Sequence, residues 1–143
     1  MALDSLRIGH EYVDNAQNRE IDQFLPFFKN PSRSEVEEPV RGISNAGGIR
    51  PLLSRDGRLA ALILITHEVR GPSHNPWEDF VDLRSGTIRY WGDAKYHETR
   101  RRDDFPGNKR LVEIIEHVQH KRWSSIPPIL HFSKPRPGIV RFN

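Results

Sequence analysis

The stretch Asp82-Leu83-Arg84-Ser85-Gly86-Thr87-Ile88-Arg89-Tyr90-Trp91-Gly92-Asp93-Ala94-Lys95-Tyr96 decides how the chain is read. Ser85-Gly86 is a tight-turn signal, because glycine accepts the positive φ that the favoured hairpin turns demand. Phe80, Val81 and Leu83 precede the turn; Ile88, Tyr90 and Trp91 follow it. Both flanks carry strand-forming residue types, so the segment reads as a β-hairpin. Gly92 breaks or bulges the second strand. Asp93, Lys95 and Tyr96 then fall at or just beyond a strand end, where sites are often built.

Upstream of the hairpin, Ser54-Arg55-Asp56-Gly57-Arg58 is a turn signal that opens a buried strand over Leu59 to Thr66. Glu68 to Pro76 is a polar loop, and Trp77-Glu78-Asp79-Phe80 leads from it into the hairpin. Further back, Asn45-Ala46-Gly47-Gly48 reads as a turn in preference to a phosphate cradle, and Asn30 to Val40 as a loop. Ile21, Phe24, Leu25 and Phe28 fit a helix within Asn18 to Phe28, limited by Pro26. Leu6 to Tyr12 is an edge strand or the lead into that helix. Downstream, Tyr96 to Lys109 is a highly charged exposed loop. Leu111, Ile114, Ile115 and Val118 recur at i, i+3, i+4 and i+7 and give a helix one apolar face, with Asn108 as its cap and Lys121 and Arg122 closing it. Ile129 to Phe132 and Ile139 to Phe142 are short strands around a Pro-rich turn.

Several strands with one clear helix make the fold class α+β: a curved, mostly antiparallel β-sheet or small β-barrel with one or two flanking helices. The 143 residues are one domain's worth, and the 36% hydrophobic content limits the core to a modest size. No apolar run is long enough to span a bilayer, and Met1-Ala2-Leu3-Asp4-Ser5 is not a signal peptide. The absence of Cys removes thiol chemistry and fits a reducing compartment. Net charge is only +3, so a polyanionic partner has to be argued from clustering. The chain stops at Arg141-Phe142-Asn143, inside an apparent strand, as a domain cut from a longer protein would.

Three constellations carry chemistry. The first is basic: Lys95, His97, Arg100, Arg101, Arg102, Lys109 and Arg110, residue types that hold backbone phosphates. Its bland alternative is a solvated surface loop, or a protein-interaction scaffold. The second is aromatic: Trp77, Tyr90, Trp91 and Tyr96 around Asp93. Flipped bases stack between aromatic faces, and a carboxylate accepts from the cytosine amino group. Adjacent Tyr90 and Trp91 point to opposite sides of a strand, so at least one is expected to pack inside. The third is Asp82 with Asp93-Ala94-Lys95, the acid and acid-x-Lys pattern of a Mg²⁺-dependent PD-(D/E)xK nuclease. His67, His74, His117 and His120 lack the companions a zinc site needs.

From Gly86-Thr87-Ile88-Arg89-Tyr90-Trp91-Gly92-Asp93-Ala94-Lys95 and Gly107-Asn108-Lys109-Arg110-Leu111, the chain resembles the N-terminal DNA-recognition domain of AspBHI-like restriction endonucleases, relatives of MspJI. The resemblance runs from about Trp77 to Val118, with a weaker echo at Gly138 to Asn143. It implies an SRA-like (SRA/PUA-type) curved barrel that flips 5-methylcytosine out of duplex DNA and is joined to a C-terminal nuclease domain. It also implies a bacterial cytoplasmic setting. Residues 1–143 would be the recognition domain alone, binding without cutting and needing no cofactor or metal. Asp93 would read the base, Trp91 or Tyr96 would stack on it, and Lys95 with the arginines would hold the backbone. Ala94-Lys95-Tyr96 departs from the Asn and Pro-Gly of that family's basic loop, so another mark, such as backbone phosphorothioate, stays open.

Overall fold

The apolar run after the Asp56-Gly57 turn becomes an interior strand of the main sheet, paired on both sides. A computed structural model describes residues 6–15, 17–18, 20–24, 48–54, 56–68, 79–91 and 106–143. Five strands form one sheet: β1 (Glu11–Val13), β2 (Ile49–Leu53), β3 (Leu59–His67), β6 (Ile129–Arg136) and β7 (Ile139–Phe142), in the order β1-β7-β6-β3-β2. Strands β4 (Phe80–Asp82) and β5 (Thr87–Arg89) form a separate hairpin. One helix, α1 (Pro106–Gln119), and a 3-10 turn at Trp123–Ser125 complete the described elements.

The pairings β1–β7, β7–β6 and β3–β2 are antiparallel, and β3–β6 alone is parallel. A parallel pair needs a long crossover, and here it contains the hairpin and α1. The result is the expected α+β fold with an open, mostly antiparallel sheet; among the described residues the sheet does not close into a barrel.

β3 is buried from Ala61 to Thr66 because both faces of the sheet are covered. Its side chains alternate between two clusters, as the two-residue strand period requires. Ala61, Ile63 and Ile65 join Tyr12, Phe24, Leu52, Phe132 and Val140 on one face. Leu62 and Leu64 join Ile49 and Ile114 on the other, with Leu111, Tyr90 and Ile126 packed around them. Phe24 meets Phe132 edge-on, with ring centroids 5.0 Å apart. Each such fully buried side chain contributes about 1.5–3 kcal/mol.

The sheet's outer strands are tied across the first face. Asp14, just past β1, accepts from Arg50 of β2 at 3.5 Å and from Lys134 of β6 at 3.4 Å. Arg50 also lies over the Phe24 ring, 5.5 Å from its centroid. β1 and β2 are opposite edges, so this link requires the sheet to curve around that face.

Ile49–Leu53, a segment without a sequence-based assignment, is an edge strand, where the missing donor of Pro51 is tolerated. Two expectations for the helix are corrected. The helix starts at Pro106, two residues before the expected cap, since proline suits the first helical position. Asn108 is therefore inside the first turn and buried. On α1, Ile114 and Leu111 pack on the sheet, whereas Ile115 (53% exposed) and Val118 (43%) face outward. The edge-strand alternative for Leu6 to Tyr12 is met in part by β1. Residues 20–23 are not helical, and the rest of the Asn18–Phe28 helix reading mostly lies outside the described residues, as do Asn30 to Val40 and most of Glu68 to Pro76.

Candidate nucleic-acid interface

The hairpin forms as its sequence dictates. Phe80 pairs Arg89, Val81 pairs Ile88 and Asp82 pairs Thr87, leaving Leu83 to Gly86 as the loop. Gly86 takes φ +68°, a value that side-chain-bearing residues rarely adopt. Asp82 ties the loop down: Oδ1 accepts the Arg84 N–H at 2.9 Å and Oδ2 the Ser85 hydroxyl at 2.7 Å. The Ser85 hydroxyl, then the backbone donors, hold the Asp82 carboxyl below its ordinary range.

Tyr90 and Trp91, just past β5, divide as strand geometry demands. Tyr90 is half-buried, packs against the Leu62–Leu64 cluster and donates its hydroxyl to the Ile65 carbonyl at 3.4 Å. Gly48 leaves room for it: a Cβ there would collide with the Tyr90 hydroxyl and crowd the Ile65 carbonyl. Trp91 remains 49% exposed, and its backbone N–H donates to Asp79 Oδ1 at 2.9 Å.

Asp79 is buried and ends a chain of hydrogen bonds that runs across the sheet. The Asn143 amide nitrogen sits 2.8 Å from His131 Nδ1 and 2.6 Å from the Ser133 hydroxyl. His131 Nε2 sits 3.0 Å from Thr66 Oγ1, and Thr66 reaches Asp79 Oδ2 at 3.4 Å. One polarity satisfies every atom. The Asn143 amide donates to Nδ1, so Nε2 carries the ring proton and donates to Thr66, whose hydroxyl donates to Asp79. Burial pushes the His131 pKa down to about 4, in keeping with a neutral ring.

Thr66, Asp79, Ser133 and Asn143 floor a cavity of about 300 Å³, with Phe80 and Leu83 of the hairpin on one wall. Arg141 and Glu68, joined as an ion pair, stand at its side. The cavity thus offers hydroxyls, an amide and a carboxylate beside an apolar wall, the lining of a site for a flat polar ring.

Of the sequence-derived site residues, Tyr90, Trp91, Lys109 and Arg110 are described. Lys109 is exposed, and Arg110 pairs with Glu113 at 2.9 Å. Trp77, Asp93, Lys95, Tyr96, His97, Arg100, Arg101 and Arg102 lie outside the described residues, as does most of the Tyr96 to Lys109 loop reading. The residues that sequence reading missed are Thr66, Asp79, His131, Ser133 and Asn143. They come from two strands, a loop and the chain end, so no local spacing links them. The one signal was His131, a polar residue between Leu130 and Phe132 in a strand.

The family model described as restriction endonuclease AspBHI N-terminal matches residues 6–143. A solved structure titled DNA modification-dependent restriction endonuclease AspBHI is similar, with 27% identity and a TM-score of 0.68. The match covers 96% of this chain and 58% of that one, so this chain spans less than two thirds of that relative. No curated protein matches. A fold of this shape, with a match over nearly the whole sequence, places the chain in the AspBHI N-terminal family of restriction endonucleases.

Proposed function

We propose that this chain recognises modified DNA, taking 5-methylcytosine out of the duplex and reading it beside the β4–β5 hairpin. The observation that carries this is the half-exposed Trp91, pinned through its backbone to buried Asp79 at a polar cavity. A flipped base needs a ring to stack on and hydrogen-bond partners along its pairing edge. Trp91 supplies the ring, and Tyr90 anchors the end of β5 to the core. Asp93, two residues on, supplies an acceptor for the cytosine amino group. Trp77 and Tyr96 complete the aromatic wall, as their place in the sequence suggests. Lys95, His97, Arg100, Arg101, Arg102, Lys109 and Arg110 hold the phosphates, offsetting the few kcal/mol that base extrusion costs.

Family membership supports DNA as the partner. A linked C-terminal nuclease completes the reading, with this domain binding and the other cutting, in a bacterial cytoplasm. The rival reading makes Asp82, Asp93 and Lys95 a Mg²⁺ nuclease site. It is the weaker one, because both Asp82 oxygens are engaged in the hairpin's own turn.

Fluorescence anisotropy with 5-methylcytosine, phosphorothioate and unmodified duplexes, at two salt concentrations, tests the proposal. Tighter binding of the methylated duplex is expected; equal affinity for all three removes the claim that a mark is read. Asp93→Ala should erase a preference of about tenfold or more. Arg101→Ala should weaken every duplex alike and lower the salt slope by about 1. Plasmid nicking that needs Mg²⁺ and vanishes in Lys95→Ala would establish the nuclease instead.

A further inference from the structure

A second hollow, of about 570 Å³, lies at the other end of β3. Its walls are the β2–β3 turn, the flank of α1 and the 3-10 turn. At about 3.3 Å per strand residue, Ala60 beside this hollow and Thr66 in the first cavity are roughly 20 Å apart. Arg58 enters from the turn, Arg110, Glu113 and His117 from α1, and Ser124 and Ser125 from the 3-10 turn. All but Glu113 offer hydrogen-bond donors.

His117 is the second observation. Its Nδ1 is shut off from solvent and has no hydrogen-bond partner. A buried bare acceptor is tolerated more readily than a buried unbonded N–H. With Nδ1 closed off, His117 can reach a ligand only through its other nitrogen, Nε2, as a donor.

The two arginines are balanced by acids in pairs at the surface. Arg58 Nε meets Asp56 at 2.5 Å and Arg110 meets Glu113 through one guanidinium nitrogen at 2.9 Å. The Arg58 pair is exposed and the Arg110 pair partly so, and such surface pairs contribute only about 0–1 kcal/mol. An oxyanion that accepts from several donors at once can displace or share them.

We propose that this cleft seats a phosphodiester group of the DNA backbone, with Arg58 and Arg110 supplying charge and His117, Ser124 and Ser125 supplying further hydrogen-bond donors. The seat rests on the reading of this chain as a DNA-binding module. It places a backbone contact about 20 Å along the sheet from the base-reading end.

Anisotropy on the whole chain, with methylated and unmodified duplexes across a salt series, tests it. Arg58→Gln with Arg110→Gln should weaken both duplexes about 5- to 20-fold and lower the salt slope by up to about 2. The preference for the methylated duplex should not move. Ser124→Ala with Ser125→Ala should weaken both about 3-fold with the slope unchanged, since neutral donors release no counterions. Glu113→Gln should tighten both duplexes at low salt, an effect that misfolding cannot imitate. Wild-type affinity and slope in the arginine pair, or weaker binding in Glu113→Gln, would overturn the seat while leaving the modified-DNA reading intact. A wild-type chain that binds no duplex overturns both.

Discussion

At the scale of single residues, His131 has the clearest consequence. It is buried, neutral and held between Asn143 and Thr66. Its folded-state pKa, about 4, lies below the ordinary 6.5. Above pH 6.5 both folded and unfolded chains carry the neutral ring, so His131 adds no pH dependence there. Below that value the unfolded chain takes up the proton first, and stability falls as the medium acidifies. The slope levels off near pH 4, after a loss on the order of 2 kcal/mol. Urea midpoints at pH 7 and pH 4.5 check this: His131→Gln should show a smaller drop than the wild type, and equal drops would contradict it. Asp79 acts on Trp91 through a hydrogen bond to its backbone N–H. Asp79→Ala should loosen the Trp91 ring, red-shifting and quenching its fluorescence, and reduce preference for methylated duplex more than affinity for plain duplex. Sequence reading named Trp91 and missed Asp79, because nothing in a carboxylate twelve residues away marks it as the anchor.

At the scale of elements, the loop before β2 and the end of β5 are locked together by Gly48 under Tyr90. Gly48→Ala forces its new methyl group against the Tyr90 hydroxyl and should destabilise by about 2 kcal/mol. In a Tyr90→Phe background the same change should cost less, since the obstructing oxygen is gone; a double-mutant cycle by thermal or urea melting measures the coupling. The helix contacts the sheet chiefly through Ile114, so Ile114→Ala should cost about 2–4 kcal/mol, while Ile115→Ala on the outer side should change stability little. The heptad-like spacing of Leu111, Ile114, Ile115 and Val118 was plain in the sequence. Which edge of that wide apolar arc meets the sheet was not, because the arc exceeds what one sheet contact can cover.

At the scale of the molecule, the ion pair between Asp14 and Arg50 ties the two edges of the sheet across its buried face. Both side chains are nearly inaccessible, at 7% and 5% exposure. Removing one partner leaves the other charge buried, so Asp14→Ala should cost about 3 kcal/mol or more. Arg50→Met combined with Asp14→Leu should cost less than the sum of the single changes. Chemical denaturation of the four proteins decides it; strict additivity would mean the two groups do not interact. The two hollows sit at opposite ends of β3, so the length of this interior strand sets the spacing between base reading and phosphate seating in the proposed complex.

Local rules in the sequence determined the hairpin, its glycine turn, the buried run of β3, the helix and the α+β class. Each depends on residues a few positions apart, where backbone sterics and side-chain periodicity act directly. The sequence also carried the aromatic and basic inventory and the family likeness. Tertiary structure alone decided that β3 pairs β6 in parallel, that Ile49–Leu53 is an edge strand despite Pro51, and that Thr66, Asp79, His131, Ser133 and Asn143 meet in one network. Burial explains the difference. A polar group inside must find a partner wherever the fold brings one, and the partners here lie as far apart along the chain as Thr66 and His131, 65 residues.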